Sequence, residues 1–201
     1  METVVDVAFP LSGKSLPLDH GYSLFGAVSR LVPRLHKEAA WGIHPVYGKR
    51  AGPGVLSLLR QSHLTVRLAA SEIGALMPLT GTSLDVAGNQ VSLGIPRVYP
   101  LKPRPALRAR FVTVKSFKDD AGKFGEALRR QMDAMEIAST ASIDVGTRRV
   151  MKVSSHVIVG FSVAVDGLTA DESLRLQIRV SPAAASGTTS TGITGDQGTT
   201  R

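Results

Sequence analysis

The spacing of apolar residues changes along the chain and predicts its elements one by one. Val4 to Phe9 is a β-branched apolar run that reads as a first strand ending before Pro10, and Leu11-Ser12-Gly13-Lys14 reads as a turn. Leu24, Phe25, Val28, Leu31, Val32 and Leu35 then recur at helical spacing and make one apolar stripe. That helix starts near Asp19, a good N-cap residue, and kinks or ends at Pro33, which cannot continue the hydrogen-bond ladder. Trp41 to Tyr47 predicts a short strand, Lys49 to Gly54 a basic loop, and the alternation of His63 to Leu68 another strand. Ser71 to Leu79 predicts a short helix with Ser71 as its N-cap and Gly81 just past its end. Thr82 to Leu93 is a strand or small hairpin turning at Gly88-Asn89. The order is β-α-β-β-α-β, an α+β pattern of the ferredoxin-like kind, shared by RNA-recognition modules.

Tyr99-Pro100-Leu101-Lys102-Pro103-Arg104-Pro105 is a stiff, Pro-rich connector, after which the order begins again. Leu107 to Phe117 reads as a strand and Lys123 to Met135 as a helix with Phe124, Leu128, Met132 and Met135 on one face. Ser142 to Val153 and Val157 to Val165 read as a hairpin around Ser154-Ser155-His156. Thr169 caps a last helix through Leu176, with Asp171 and Glu172 in its favourable first turn. The expected organisation is a ferredoxin-like domain over 1–98, a connector over 99–105, and a second ferredoxin-like domain over 106–180 that lacks its last strand. The segment 181–201 is rich in Thr, Gly, Ser and Ala and is expected to be a disordered tail.

Composition narrows the class. With 43% hydrophobic and 20% charged residues the chain can bury a core, and with no Cys it has no disulfide, thiol nucleophile or Cys-based metal site. No apolar run reaches the ~18 residues of a membrane span. The N-terminus lacks a basic segment followed by an apolar one, so the expected compartment is the cytoplasm, with no membrane partner. The 24 Lys and Arg exceed the 16 Asp and Glu by eight, and most of the excess lies between Arg30 and Arg110. Such a balance favours a polyanionic partner such as nucleic acid.

A family resemblance sharpens this. Val7-Ala8-Phe9-Pro10-Leu11-Ser12-Gly13-Lys14, followed by Leu16-Pro17-Leu18-Asp19-His20-Gly21-Tyr22-Ser23-Leu24-Phe25-Gly26-Ala27, resembles the CRISPR repeat-RNA processing endoribonucleases, nearest their type I-MYXAN branch. Leu35-His36, Gly42-Ile43-His44-Pro45, Leu84-Asp85-Val86-Ala87-Gly88, Val159-Gly160-Phe161 and Glu172 to Gln177 extend the likeness. The resemblance implies two ferredoxin-like domains in tandem and metal-free cutting of precursor CRISPR RNA within each repeat. It also implies repeat RNA as partner, with other subunits of a CRISPR effector complex as further partners. After Gln177 the sequence departs from the family, whose Gly- and Arg-rich loop and closing strand are replaced by Ile178-Arg179-Val180-Ser181-Pro182 and the Thr/Gly/Ser tail. Two other readings are therefore a non-catalytic RNA-binding subunit and a C-terminally degraded inactive copy.

Metal-free RNA cleavage needs a base for the 2′-OH, an acid for the departing 5′-oxygen and a cation for the phosphorane. Imidazole suits the first two tasks and lysine or arginine the third. Tyr22, Ser29 and His36 recur every seven residues along one border of the apolar stripe. In an unbroken helix Tyr22 and His36 would stand about 21 Å apart, so they share a site only if Pro33 breaks it. The catalytic candidates are His36, then His44, then His20, with Tyr22 beside them; the family places a catalytic histidine in or just after this helix. His63 and His156 are read as ordinary. The RNA-contact candidates are Arg108, Arg110 and Lys115 on one strand, with Arg129, Arg130, Arg148 and Arg149. Aromatic residues are only 5%, so recognition through shape and phosphates fits better than base stacking on a sheet. No metal-ligand pair and no nucleotide-binding Gly-rich loop stands out, and no cofactor is expected.

Overall fold

The computed structural model describes residues 2–38, 40–114, 120–137, 140–153 and 156–179. Residues up to Pro100 form one compact unit and those from Leu101 a second.

In the first unit, β1 (Val4–Ser12) is the hub of a sheet. It pairs antiparallel with β6 (His63–Ala69), whose other edge takes β3 (Gly42–Ile43). On its second edge β1 meets β9 (Arg97–Pro100) over Val5–Ala8, then β8 (Asn89–Leu93) at Leu11 and Ser12, with β7 (Ser83–Val86) beyond. The order β3-β6-β1-β8-β7 is that of a ferredoxin-like sheet. Val5, Val7, Phe9 and Leu11 point to one side and share a core with Leu64, Val66 and Leu68 of β6. Helix α1 (Gly21–Leu31) adds Leu24, Phe25, Ala27 and Val28 to it.

Several local expectations change. The first strand runs through Pro10 because the proline sits where β1 changes partner from β9 to β8. Pro10 needs no donor there, its carbonyl accepts from the Gly94 N–H at 2.9 Å, and Leu11 N–H reaches Ser62 O at 2.9 Å. The N-cap of α1 is His20, one residue after Asp19. Helix α1 stops at Leu31, and a 3₁₀ turn over Pro33–His36 follows it. Of Trp41 to Tyr47, only Gly42–Ile43 joins a sheet. The basic loop is a hairpin of β4 (Lys49–Gly52) and β5 (Val55–Ser57), to which β2 (Ser15–Pro17) adds a third strand. Ala70–Leu79 is 3₁₀ rather than α, and Pro78 within it has no N–H for an α ladder. The β7–β8 turn is Ala87-Gly88, both with positive φ (52° and 79°), one residue earlier than Gly88-Asn89. Tyr99 and Pro100 belong to β9 rather than to a connector.

The second unit has β10 (Ala106–Val112), α2 (Ala121–Ala134), β11 (Ser142–Val153), β12 (His156–Asp166) and α3 (Ala170–Arg179). Its sheet order is β10-β12-β11, which is a ferredoxin-like sheet without the fourth strand among the described residues. Leu107, Ala109, Phe124, Leu128, Met132, Phe161, Val163, Val165 and Leu176 form its core. Asp120 caps α2 by accepting from Lys123 N–H at 3.0 Å. Thr169 and Glu172 close a reciprocal capping box on α3: Thr169 N–H donates to Glu172 Oε2 at 2.9 Å and Glu172 N–H to Thr169 Oγ1 at 3.3 Å. The helix runs past Leu176 to Arg179. Lys115, the strand positions 115–117, the turn at 154–155 and the tail 181–201 lie outside the described residues.

Gly160 is buried where β12 passes β10. A Cβ there would run into the Val112 carbonyl oxygen and lie 3.0 Å from the Phe111 ring. Gly160→Ala is therefore expected to destabilise the second unit by roughly 1–3 kcal/mol. A urea unfolding midpoint equal to that of the unmodified protein would contradict this packing.

Candidate functional site

The break at Pro33 decides where His36 goes. Val32 leaves the helical conformation, and the chain turns through Pro33–His36 with Leu35 buried in the core. Arg34 anchors the turn: it pairs with Glu38 at 3.3 Å and Glu72 at 2.7 Å, and its guanidinium lies 5.5 Å from the centre of the Trp41 ring. The exposed His36 ring stands edge-on to Phe25, with centroids 5.0 Å apart and planes at 83°. Phe25 is one helical turn from Tyr22, which is 45% exposed. The break thus brings His36 back against the Phe25 position of α1 instead of beyond the end of the helix.

His20 behaves differently. It is 2% exposed, and both ring nitrogens are engaged. Nδ1–H donates to Pro17 O at 2.9 Å, and Nε2 accepts from Val46 N–H at 2.9 Å. Those partners fix a neutral imidazole with the proton on Nδ1. Neither nitrogen is left to move a proton to a substrate. These bonds pin the start of α1 to β2 and to the segment before β4, and a catalytic role for His20 would require giving one of them up.

His44 follows β3 and is held by its own N–H to Thr65 O at 2.9 Å. Its Nε2 lies 3.6 Å from Asp6 Oδ1, beyond hydrogen-bond reach, and is buried. Asp6 in turn accepts a two-pronged pair from Arg67: Nε to Oδ1 and Nη2 to Oδ2, both at 2.8 Å. Burial opposes ionisation of the Asp6 carboxyl, but the Arg67 fork and neighbouring His44 outweigh it and hold its pKa at about 2. Asp6 and Arg67 are directly opposed in the β1–β6 register, on the sheet face away from the Val7 and Phe9 core.

The cationic candidates differ in their surroundings. Arg108 makes two 2.9 Å bonds to Asp166, which raise its pKa and spend its fork on a carboxylate. Arg129 donates Nη1–H to Ala141 O at 2.9 Å and faces Asp133 at 3.2 Å, so it ties α2 to the start of β11. Both expectations of phosphate contact meet this competition. Arg110, Arg130, Arg148 and Arg149 are exposed. Arg149, opposed to Gly160, stands on the sheet face opposite the core. A hollow of about 430 Å³ beside α2, lined by Gly125, Glu126, Arg129 and Ile143, contains none of the histidines. No group of three His, Asp or Glu among the described residues is placed to hold a metal ion. No described helix is long and apolar enough to cross a membrane.

Comparison with known proteins bears on what this arrangement serves. The family model described as Cas6 Crispr matches residues 5–179. The chain belongs to the Cas6 family. The CRISPR-associated endonuclease Cas6 of Myxococcus xanthus (strain DK1622) is 37% identical over 173 residues, covering 86% of this chain and 74% of that protein. A solved CRISPR associated protein Cas6 superposes with a TM-score of 0.56 at 9% identity, over 89% of this chain and 92% of the other. A second, titled an RAMP protein binding different RNA substrates, gives 0.55 at 13% identity, over 86% and 90%. At those identities the two structures show a common fold, the α+β ferredoxin-like one.

Within this Cas6 chain the sequence reading missed Asp6 and Arg67. The available signal was an acid at an outward position of an otherwise apolar strand and an arginine in the alternating run that pairs with it. Replacing His20 by Ala strands the Pro17 carbonyl and Val46 N–H, so a loss of about 2–4 kcal/mol is expected. A thermal melt of His20→Ala within a degree of the unmodified protein would refute the pin.

The Asp6 linkage has a definite sign. Its pKa falls from an ordinary 3.8 to about 2 on folding. The contribution, about 2 kcal/mol, is complete above pH ~4 and is lost as pH falls through about 2. Denaturation midpoints measured across that window should drop steeply for the unmodified protein and more gently for Asp6→Asn; parallel curves would exclude Asp6 as the group responsible.

Proposed function

We propose that this Cas6 family member is an endoribonuclease that cuts precursor CRISPR RNA within its repeats, without a metal, and that His36 and Tyr22 form the cleavage site. The observation that carries the assignment of the site is the edge-on contact of His36 with Phe25, centroids 5.0 Å apart, one turn from Tyr22. The family membership and the curated Myxococcus xanthus endonuclease support the reaction class.

In this reading His36 takes the proton from the 2′-OH beside the scissile phosphate. The 2′-oxygen attacks phosphorus, the bond to the 5′-oxygen breaks, and that oxygen is protonated as it leaves. The products are a 2′,3′-cyclic phosphate and a 5′-hydroxyl. Tyr22, 45% exposed, is the candidate for orienting the phosphate. His44 remains a second candidate, but its buried Nε2 faces Asp6, which suits a supporting position better than an exposed reagent. Exposed Arg110, Arg130, Arg148 and Arg149 are proposed to hold RNA phosphates. The reading places the reaction in the cytoplasm, where the transcript is made, and allows the cut RNA to pass to other CRISPR effector subunits.

The test is cleavage of end-labelled repeat RNA in EDTA, beside the same RNA with a 2′-deoxy sugar at the cut. One cut that survives EDTA and disappears with the deoxy sugar is expected. His36→Ala should bind the RNA normally and cut at least ~100-fold more slowly. Unchanged cutting by His36→Ala moves the site elsewhere, loss of cutting in EDTA removes the metal-free mechanism, and tight binding with no cut by the unmodified protein makes it an RNA-binding subunit.

A further inference from the structure

The hairpin β4–β5 was expected to be a loop and was assigned no role. The structure makes it an ordered three-stranded sheet with β2, in which Lys49, Ser57 and Ser15 lie directly opposite one another. Opposed residues in antiparallel strands share a face. Leu16 and Leu56 on the other face are buried, so Lys49 marks the outer one. Tyr47 lies two residues earlier on the approach to β4 and is 55% exposed. Its backbone is held, because Ser62 Oγ–H donates to Tyr47 O at 2.7 Å. Gly48, between them, packs inward so closely that a Cβ would lie 2.5 Å from Ser57 O and 2.9 Å from Leu56.

Cations cluster along this hairpin. Arg50, opposed to Leu56, is exposed on the same edge strand but belongs to the other face, and exposed Lys14 sits where Leu58 N–H donates to the Lys14 carbonyl at 3.1 Å. Exposed Arg60 lies in the following turn. No carboxylate occurs between Glu38 and Glu72 in the sequence, and among the described residues Lys14, Lys49, Arg50 and Arg60 make no ion pair. Cations on an edge strand also discourage strand-to-strand aggregation. That task would not require an exposed aromatic ring on a held backbone beside them.

The geometry points to a contact surface for single-stranded RNA on the outer face of this small sheet, with a base stacked on Tyr47 and the flanking phosphate held by Lys49. An aromatic ring next to fixed cations is the arrangement that binds unpaired nucleotides without reading their sequence. The inference rests on the proposed RNA-cleaving function and adds a surface in the first unit that binds the substrate away from the reacting phosphate.

The experiment uses fluorescein-labelled repeat RNA with an unpaired leader, the same hairpin without a leader, and the intact protein. Tyr47→Ala and Lys49→Ala are each expected to weaken binding of the leader RNA roughly tenfold. Tyr47→Phe should bind like the unmodified protein. Lys49→Ala should also show a shallower dependence of affinity on salt. Melting temperatures should confirm folded variants. Leader binding within twofold of the unmodified protein in the folded variants overturns the proposal. So does an equal loss on the leaderless hairpin, which would make the surface a duplex contact. If the unmodified protein binds neither RNA, the proposed function fails with it.

Discussion

The alternation of β1 is the constraint on which the first unit depends. Val5, Val7 and Phe9 must lie on the core side, so Asp6 must lie on the other. A slip of one residue against β6 would bury a carboxylate among Leu64, Val66 and Leu68 and expose Phe9. The Asp6–Arg67 pair reinforces the register from the opposite face, because its two 2.8 Å bonds form only when those residues are directly opposed. Burial of the carboxyl costs desolvation, but the Arg67 fork and His44 more than offset it, so the pair adds stability as well as favouring one alignment. His44 inherits its place from the same register through Thr65. The strands on the other edge, β8 and β9, inherit theirs through β1.

Two prolines then direct the chain by what they cannot do. Pro10 cannot donate, and it stands where β1 exchanges one neighbour for another and no donor is required. Pro33 cannot continue α1, and the turn it begins carries Leu35 into the core at 1% exposure. His36 is placed by this buried neighbour and not by contacts of its own, apart from the Phe25 edge. A reactive side chain can stay at the surface with its nitrogens available when the residue beside it provides the anchoring. His20 shows the alternative: the imidazole that is itself the anchor has no nitrogen left over.

This contrast explains how much of the site was legible in the sequence. Helical spacing gave the apolar stripe of α1, and the stiffness of proline gave its break. Neither could say that the broken end would fold back on Phe25, because that direction comes from burial of Leu35 and from the Arg34 contacts to Glu72 and Trp41, distant in sequence. His20, His36 and His44 look equivalent as residue types. They separate only when each ring nitrogen is given its neighbours. The β-α-β-β-α-β order was readable because its long strands alternate cleanly. The β4–β5 hairpin was not, since Lys49-Arg50-Ala51-Gly52 has neither alternation nor β-branching and is held as a strand by Leu56 and by the close approach at Gly48. Tertiary contact overrode local propensity there.

The same reasoning limits what a count of charges can say. The net charge of +8 predicts attraction to a polyanion at long range, where every charge contributes. At contact, a guanidinium already forked onto a carboxylate must give up that pair before it can hold a phosphate. Arg67 and Arg108 are committed in this way, and Arg34 faces two carboxylates. Arg129 is bound to a backbone carbonyl. Each of these arginines stabilises a register, a helix end or a turn. For these four, attraction at long range and contact at short range are therefore separate matters: each adds to the net charge, yet each must break an internal bond before it can hold a phosphate.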